Sequence, residues 1–254
     1  MIHPTALVQP GAQLGAECEI GPFCVIGSQV VLGDRCRLHA HVVLDGHTEL
    51  GHDNEVFPFA SIGLKTQDLK WQGGVTRTRI GDHNTIRESV TIHSATGDGE
   101  ATVIGSQNHI LAYTHIGHNV VLGNRIIISM AGLAGHVLVE DHAVIGGMTF
   151  VHQFSRIGTM AIVGGCSKVV RDVAPYMLID GNPAQTVAIN KIGLDRNHVS
   201  AETQAALKQA HRLLFRTGLT VPNALARIET EVPALPEVQH LIEFIRASER
   251  GIIR

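Results

Sequence analysis

The sequence predicts a mainly β protein, a parallel β-helix of hexapeptide repeats followed by a small C-terminal α-helical domain. Three observations predict it. An aliphatic residue recurs every six positions from the N-terminus; Gly is abundant at 27 residues while aromatics make up 4 % of the chain; and beyond about Asn190 the six-residue period gives way to helical spacing. A chain of 254 residues with 44 % hydrophobic content can bury a sizeable core. With so few rings, that core must be built from Ile, Val, Leu and Ala between many tight turns, which is the composition of a repetitive scaffold.

The anchors run Ile2, Val8, Leu14, Ile20, Ile26, Leu32, Leu38, Leu44, Leu50, Val56 and Ile62, and Gly often follows, as in Ile20-Gly21 and Leu32-Gly33. Each hexapeptide supplies one short strand and one corner, so three of them close a triangular coil with the anchors stacked inside. Successive coils then lie one strand spacing apart, roughly 4.8 Å, and pair through their main chains. Cys18 and Cys36 are 18 residues apart, one full coil, and are expected to stack as thiols. The four cysteines, with Cys24 and Cys166, show no zinc or disulfide spacing and read as small buried residues.

The period breaks between Lys65 and Arg79, resumes at Ile80, Ile86 and Ile92, and breaks again from about Ala95 to Thr102. Both breaks predict loops leaving a rigid coil, where binding groups tend to sit. Anchors resume at Ile104, Ile110, Ile116, Leu122 and Ile128, then at Leu133, Val139, Ile145, Val151, Ile157, Val163 and Val169. The hexapeptide beginning at Ile128 is one residue short, and a kink or bulge is expected there. The coil is assigned to residues 1–190 and a helical domain to 191–254. Ser200–Arg216, with Ser200 as N-cap and Gly218 as stop, Pro222–Glu231 and Pro236–Glu249 are the predicted helices, expected to cover the open end of the last coil.

A net charge of −3 offers no basic field, which argues against nucleic acid or an anionic membrane as the partner. No charged segment precedes an apolar one at the N-terminus, and the longest apolar stretch is too short to span a bilayer, so a cytoplasmic protein without membrane insertion is expected.

A hexapeptide coil alone supports many chemistries. The segments Phe59-Ala-Ser-Ile-Gly, Gln67-Asp-Leu-Lys70, Ile86-Arg-Glu-Ser-Val-Thr-Ile-His93, Leu133-Ala-Gly-His136, Val151-His-Gln-Phe154, Val163-Gly-Gly-Cys-Ser167 and Arg250-Gly-Ile-Ile-Arg254 go further. Over nearly its whole length the chain resembles the UDP-N-acetylglucosamine O-acyltransferases. The resemblance implies a left-handed coil, against the ordinary right-handed preference of parallel crossovers. It implies a homotrimer with clefts between subunits, no cofactor and no metal. The implied reaction moves a 3-hydroxyacyl chain from acyl carrier protein to the 3-hydroxyl of UDP-N-acetylglucosamine, the first step of lipid A biosynthesis.

Acyl transfer to a hydroxyl needs a base for the proton and donors for the oxyanion. By the resemblance, His118 in His115-Ile-Gly-His118-Asn119 is the base and the Gly135 main-chain N–H is the oxyanion donor. The repeat frame agrees independently: both hold the third position of their repeats, one coil apart, and should stack. An imidazole's ordinary pKa, near ~6.5, suits base chemistry at neutral pH. Asp68, Lys70, His115, His136, His152 and Gln153 are implied substrate contacts, with Asn190 and Arg196 reaching the nucleotide, Arg196 from a neighbouring subunit. Gly165 is implied to set acyl length, leaving room for a long chain. The carrier protein is expected to meet Lys168, Arg171, Arg212 and Arg216. His39, His41, His47, His52 and His83 are expected to decorate corners or a subunit face.

Three positions depart from the family pattern. Asn119 stands where an acidic residue often follows the base, so Asn119→Asp is expected to be tolerated or beneficial; Ile192 and Asn197 depart near the nucleotide residues. Two other enzyme readings share the coil. The related N-acyltransferases acting on a UDP-amino sugar carry an additional N-terminal uridine-binding domain, which the repeat starting at residue 2 does not accommodate. A γ-type carbonic anhydrase would use His115, His118 and His136 on zinc but leaves the Gln67-Asp-Leu-Lys70 loop unexplained. A non-catalytic scaffold would leave the same segments without a role.

Overall fold

Aliphatic anchors every sixth residue leave the chain one economical arrangement, a three-sided coil with the anchors stacked along its axis. The computed structural model describes residues 1–254. Most repeats form a two-residue strand, such as Val25–Ile26 or His115–Ile116, whose second residue is buried. Every third strand pairs in parallel, which produces three faces. The first face runs from Leu7–Val8 through His115–Ile116, Gly132–Leu133 and Phe150–Val151 to Lys168–Val169. A second face runs from Gln13–Leu14 to Arg156–Ile157, and the third from Glu19–Ile20 through Ile162–Val163. Anchors meet anchors in register, Ile92 against Ile116, Leu133, Val151 and Val169 in turn. Those anchors are fully or almost fully buried, each contributing about 1.5–3 kcal/mol of apolar burial.

Corners require left-handed backbone, and residues other than Gly adopt it coil after coil. Glu17, Arg35 and Asp53 do so between the second and third faces, Phe23, His41 and Phe59 between the third and first, and Asn119, His136 and Phe154 between the first and second, all with φ between 55° and 65°. The cost of about 1–2 kcal/mol per residue is met by stacking, because most of these corner amides find an acceptor in a neighbouring coil, as Arg35 N donates to Ala16 O and His136 N to His118 O. A buried ladder of Asn54, Asn84 and Asn108 adds to this. Each side-chain Oδ1 accepts from the next coil while each Nδ2 donates to a corner carbonyl. Cys18 and Cys36 stack as thiols, each donating to a carbonyl at its corner. Cys166 corrects the expectation of four buried cysteines: it occupies a left-handed corner position and is exposed.

Residues 65–76 and 94–100 form no strand. Both segments leave between a first-face strand and a second-face strand, so both loops project from the same corner of the triangle. The short repeat after Ile128 behaves differently from expectation. The next strands stay in register, His115 with Gly132 and Ile116 with Leu133, and the missing residue is taken out of the corner at Met130. The register instead shifts between Ile62 and Leu64, where the first loop begins, and between Leu178 and Ile179.

The second of these shifts lies in an antiparallel hairpin, Met177–Gly181 and Ala184–Ile189, which ends the third face and has no six-residue signal. Four helices follow. α1 (Lys191–Arg196) is capped by Asn190, and α2 (Ala201–Phe215) by Ser200 through Thr203 N, as its sequence predicts. α3 (Val221–Glu231) and α4 (Pro236–Arg246) each place Pro in the first turn, where the missing N–H costs nothing. Leu207, Leu214, Leu225, Leu241 and Phe244 of these helices form one core with Ala174, Tyr176 and Met177 of the last coil. The C-terminus returns to the coil, with Ile253 N donating to Asp172 O and Ile253 buried in the coil's core. No helix is long and apolar enough to cross a membrane.

Candidate active site

Both loops and the His118 corner lie between the first and second faces, which gathers chemistry from three stretches of sequence. A cleft of about 540 Å³ is lined there by Gln67, Asp68, Leu69 and Lys70 of the first loop and by His93, His115, Gly117, His118, Ala134, Gly135 and Gln153 of the coil. His118 and Gly135 stack one coil apart, as the frame predicts. The contact is so close that a Cβ on Gly135 would overlap the His118 ring at Nε2 and Cε1.

The Gly135 N–H has no acceptor within the chain, although its neighbours Ala134 N and His136 N donate to Val151 O and His118 O. A buried amide left unpaired in a cleft is a group with hydrogen-bonding capacity to spare. His118 is bound on its other side, Nδ1 lying 3.0 Å from Asn119 Oδ1, while Nε2 is 3.8 Å from Asp68 Oδ2. The His118 and Asp68 side chains are 16 % and 19 % exposed, so the pair is reachable yet largely shielded.

Asp68 is set by its own loop: its carboxylate accepts the Lys70 amide at 3.0 Å, and its backbone N–H donates to Thr66 Oγ1. The Lys70 amide, reinforced by His118, holds the Asp68 carboxyl below the usual carboxylate range. Burial lowers the pKa of His93, His115 and His136, and nearby His118 lowers it further for His93 and His136. These neighbours therefore stay neutral at pH 7 and add no positive charge around His118. His115 is fixed by Thr91, 2.7 Å from Nδ1, and His136 stacks on Phe154 with ring centroids 4.6 Å apart.

The remaining candidates lie elsewhere. His152 is exposed beside this cleft in a groove of about 400 Å³ along the first face, with His115, Gly132, Phe150, Lys168 and Val169. Gly165 sits at the corner joining the third face to the first, exposed, with Gly147 O as its nearest neighbour across the stack. Asn190 and Arg196 belong to the corner between the second and third faces. Asn190 donates to Met160 O, accepts from Gly193 N and is 4 % exposed, while Arg196 is exposed on α1 and has no ion-pair partner in the chain. Sequence reasoning does not single out His93 as a cleft residue, although it ends one of the quoted segments. It also passes over Glu100, which Asn119 Nδ2 reaches at 2.7 Å, because no spacing rule marks a lone Glu in a loop.

A family model described as UDP-N-acetylglucosamine O-acyltransferase, domain 2, matches residues 172–253, and a bacterial transferase hexapeptide model of six repeats matches residues 11–46. The structure of LpxA from Acinetobacter baumannii is 41 % identical, covers 100 % of this chain and 99 % of its own, and superposes with a TM-score of 0.96. LpxA from Bacteroides fragilis, a UDP-N-acetylglucosamine acyltransferase, is 38 % identical over 100 % of both chains with a TM-score of 0.97. The Moraxella catarrhalis UDP-N-acetylglucosamine O-acyltransferase is 41 % identical, covers 100 % and 99 %, and gives 0.95. Full-length identity at this level, on a coil whose unpaired amide and imidazole share one cleft, places the chain in the UDP-N-acetylglucosamine O-acyltransferase family of left-handed β-helix enzymes.

Proposed function

We propose that this acyltransferase transfers a 3-hydroxyacyl group from acyl carrier protein to the 3-hydroxyl of UDP-N-acetylglucosamine, the first step of lipid A biosynthesis. The observation that carries the reading is the stacking of His118 against Gly135, whose amide has no other partner. His118 Nε2 takes the proton of the sugar hydroxyl as its oxygen attacks the thioester carbonyl. The oxyanion that forms is held by the Gly135 N–H, where a fixed donor in a partly dry cleft is worth far more than in water. Collapse of the tetrahedral centre breaks the carbon–sulfur bond, and the thiolate of the carrier takes the proton back from His118. Asp68, beside Nε2, stabilises the transient imidazolium, and Lys70 and Gln153 line the sugar side. Incubation with UDP-N-acetylglucosamine and a panel of 3-hydroxyacyl carrier proteins, with products read by mass, tests the proposal. A product bearing one hydroxyacyl ester is expected, and hydrolysis of the thioester alone would overturn it.

Asn190 and Arg196 sit at a different corner from His118, so one chain does not assemble the whole set. We place them in the cleft of a neighbouring subunit of a homotrimer, a closed ring in which each junction forms one complete site. Mixing His118→Ala and Arg196→Ala proteins under conditions that exchange subunits is expected to restore part of the activity, since hybrid junctions carry both native residues. Absence of recovery in demonstrated hybrids would put both residues in one subunit's own site.

The first-face groove leads from His115 past Phe150 towards the corner that holds Gly165. An acyl chain lying along it ends near Gly165, and the absence of a side chain there suits a long donor, about fourteen carbons. The Gly165 φ lies outside the left-handed range, so the backbone conformation admits a larger residue, but its Cβ would lie 3.2 Å from Gly147 O, which must shift by a few tenths of an ångström to accept it. Gly165→Met is expected to shift preference to chains about four carbons shorter, with discrimination of about 3 kcal/mol from four methylenes. Relative turnover on a ladder of hydroxyacyl carrier proteins measures this, and an unchanged preference would move the length determinant elsewhere. Lys168 in the groove, with Arg171, Arg212 and Arg216, offers the carrier protein positive charge, although Arg216 also donates to Val187 O.

A further inference from the structure

The orientation of the Asn119 amide is fixed by two groups that each allow only one partner. Oδ1 accepts the Thr96 amide proton at 3.0 Å, and Nδ2 donates to Glu100 Oε2 at 2.7 Å. A main-chain N–H cannot accept and a carboxylate cannot donate, so the amide cannot be turned round without losing both bonds. Oδ1 therefore meets His118 Nδ1, 3.0 Å away, as an acceptor, and Nδ1 must carry the ring's hydrogen. That leaves the lone pair on Nε2, the atom that faces Gly135 and Asp68. The backbone of Asn119 is pinned as well, by Thr102 Oγ1 at 2.9 Å, and Glu100 is held by the Gly97 amide at 3.0 Å.

We propose that Glu100 is a positioning residue for acyl transfer: acting through Asn119, it holds His118 in the tautomer whose Nε2 is free to take a proton. The proposal rests on His118 being the general base. Glu100 is exposed, so its charge is screened and its influence is exerted through the hydrogen-bond relay rather than through a long-range field. It touches no substrate-lining residue of the cleft, so it acts on kcat and leaves KM in place. This geometry also reverses the expectation for Asn119→Asp. An aspartate there would set two carboxylates against each other where Asn119 and Glu100 now share a hydrogen bond.

Four variants and one spectrum test the relay. E100A is expected to lower kcat about tenfold at constant KM, and E100Q less, about threefold, because its amide oxygen still accepts from Asn119 Nδ2. N119D is expected to fall further than E100A. The double variant E100Q/N119D should regain most of that loss, since the introduced glutamine amide can then donate to the new carboxylate, which in turn accepts from His118 Nδ1. Long-range proton–nitrogen correlation of labelled histidine should show His118 protonated on Nδ1 in the native protein and a mixed tautomer in E100A, with thermal melting confirming that each variant is folded. Native kcat and an unchanged tautomer in E100A overturn the relay, as does an N119D variant that is fully active and gains nothing from E100Q. His118→Ala separates the two levels: if it lowers turnover by roughly 10²-fold or more while E100A does nothing, only the relay fails, and if it keeps near-native turnover, the base assignment fails and the relay with it.

Discussion

His118→Ala is expected to lower turnover by roughly 10²- to 10⁴-fold, the range in which a positioned general base contributes, while leaving the melting temperature within about 2 °C of native. The two halves of this expectation come from different parts of the structure. Stability resides in the stacked anchors, and the anchor before the corner, Ile116, and the residue after it, Val120, are both fully buried, whereas the His118 imidazole belongs to the cleft and to no part of the apolar core. Catalysis loses the only ring nitrogen that faces both the Asp68 carboxylate and the Gly135 column. The Gly135 N–H survives the substitution, so turnover should settle above the uncatalysed rate rather than vanish. A folded His118→Ala protein with near-native turnover on the hydroxyacyl carrier assay would remove His118 from the chemistry.

The legibility of this molecule in its sequence follows the range over which each feature is determined. Anchors such as Ile26, Ile110 and Val151 repeat with a fixed period, so the coil, its faces and the stacking of residues one coil apart can be counted off directly. Counting also places Gly135 over His118, because the one-residue deletion after Ile128 shifts the frame by a known amount. It does not reveal how the deletion is absorbed. A bulge and a shortened corner give the same count, and corner geometry rather than strand pairing yields, because each two-residue strand is pinned by neighbours on both sides. The hairpin at Met177–Ile189 is invisible to a six-residue period, and its alternation is too short to distinguish from one more repeat. Asp68 can be named from its motif, but its distance to His118 depends on a loop fold. Glu100 has no motif and is found only because a folded loop sets it beside Asn119.

Gly135→Ala tests the stacking itself, and its expected effect approaches that of removing His118. The Gly135 φ is not in the left-handed region, so Ala is acceptable to the backbone and the coil should fold normally. The added methyl, however, falls on the His118 ring, overlapping Nε2 and Cε1 and coming within 2.9 Å of Cδ2. The main chain of Gly135 cannot retreat, since its carbonyl accepts from Phe154 N while Ala134 N and His136 N are bonded on either side. The ring must move instead, breaking its bond to Asn119 and carrying Nε2 away from the oxyanion site. A displacement of about 1 Å in a reacting group can cost on the order of 10²-fold, and a loss of kcat of that size or larger is expected at unchanged thermal stability. The decisive measurement is the double variant. In a His118→Ala background the methyl has no ring to displace and the Gly135 N–H is retained as the alanine's own amide, so Gly135→Ala should cost little more, a strongly non-additive cycle. Additive losses would show that residue 135 acts on the substrate independently of the imidazole, by filling the cleft rather than by moving the base.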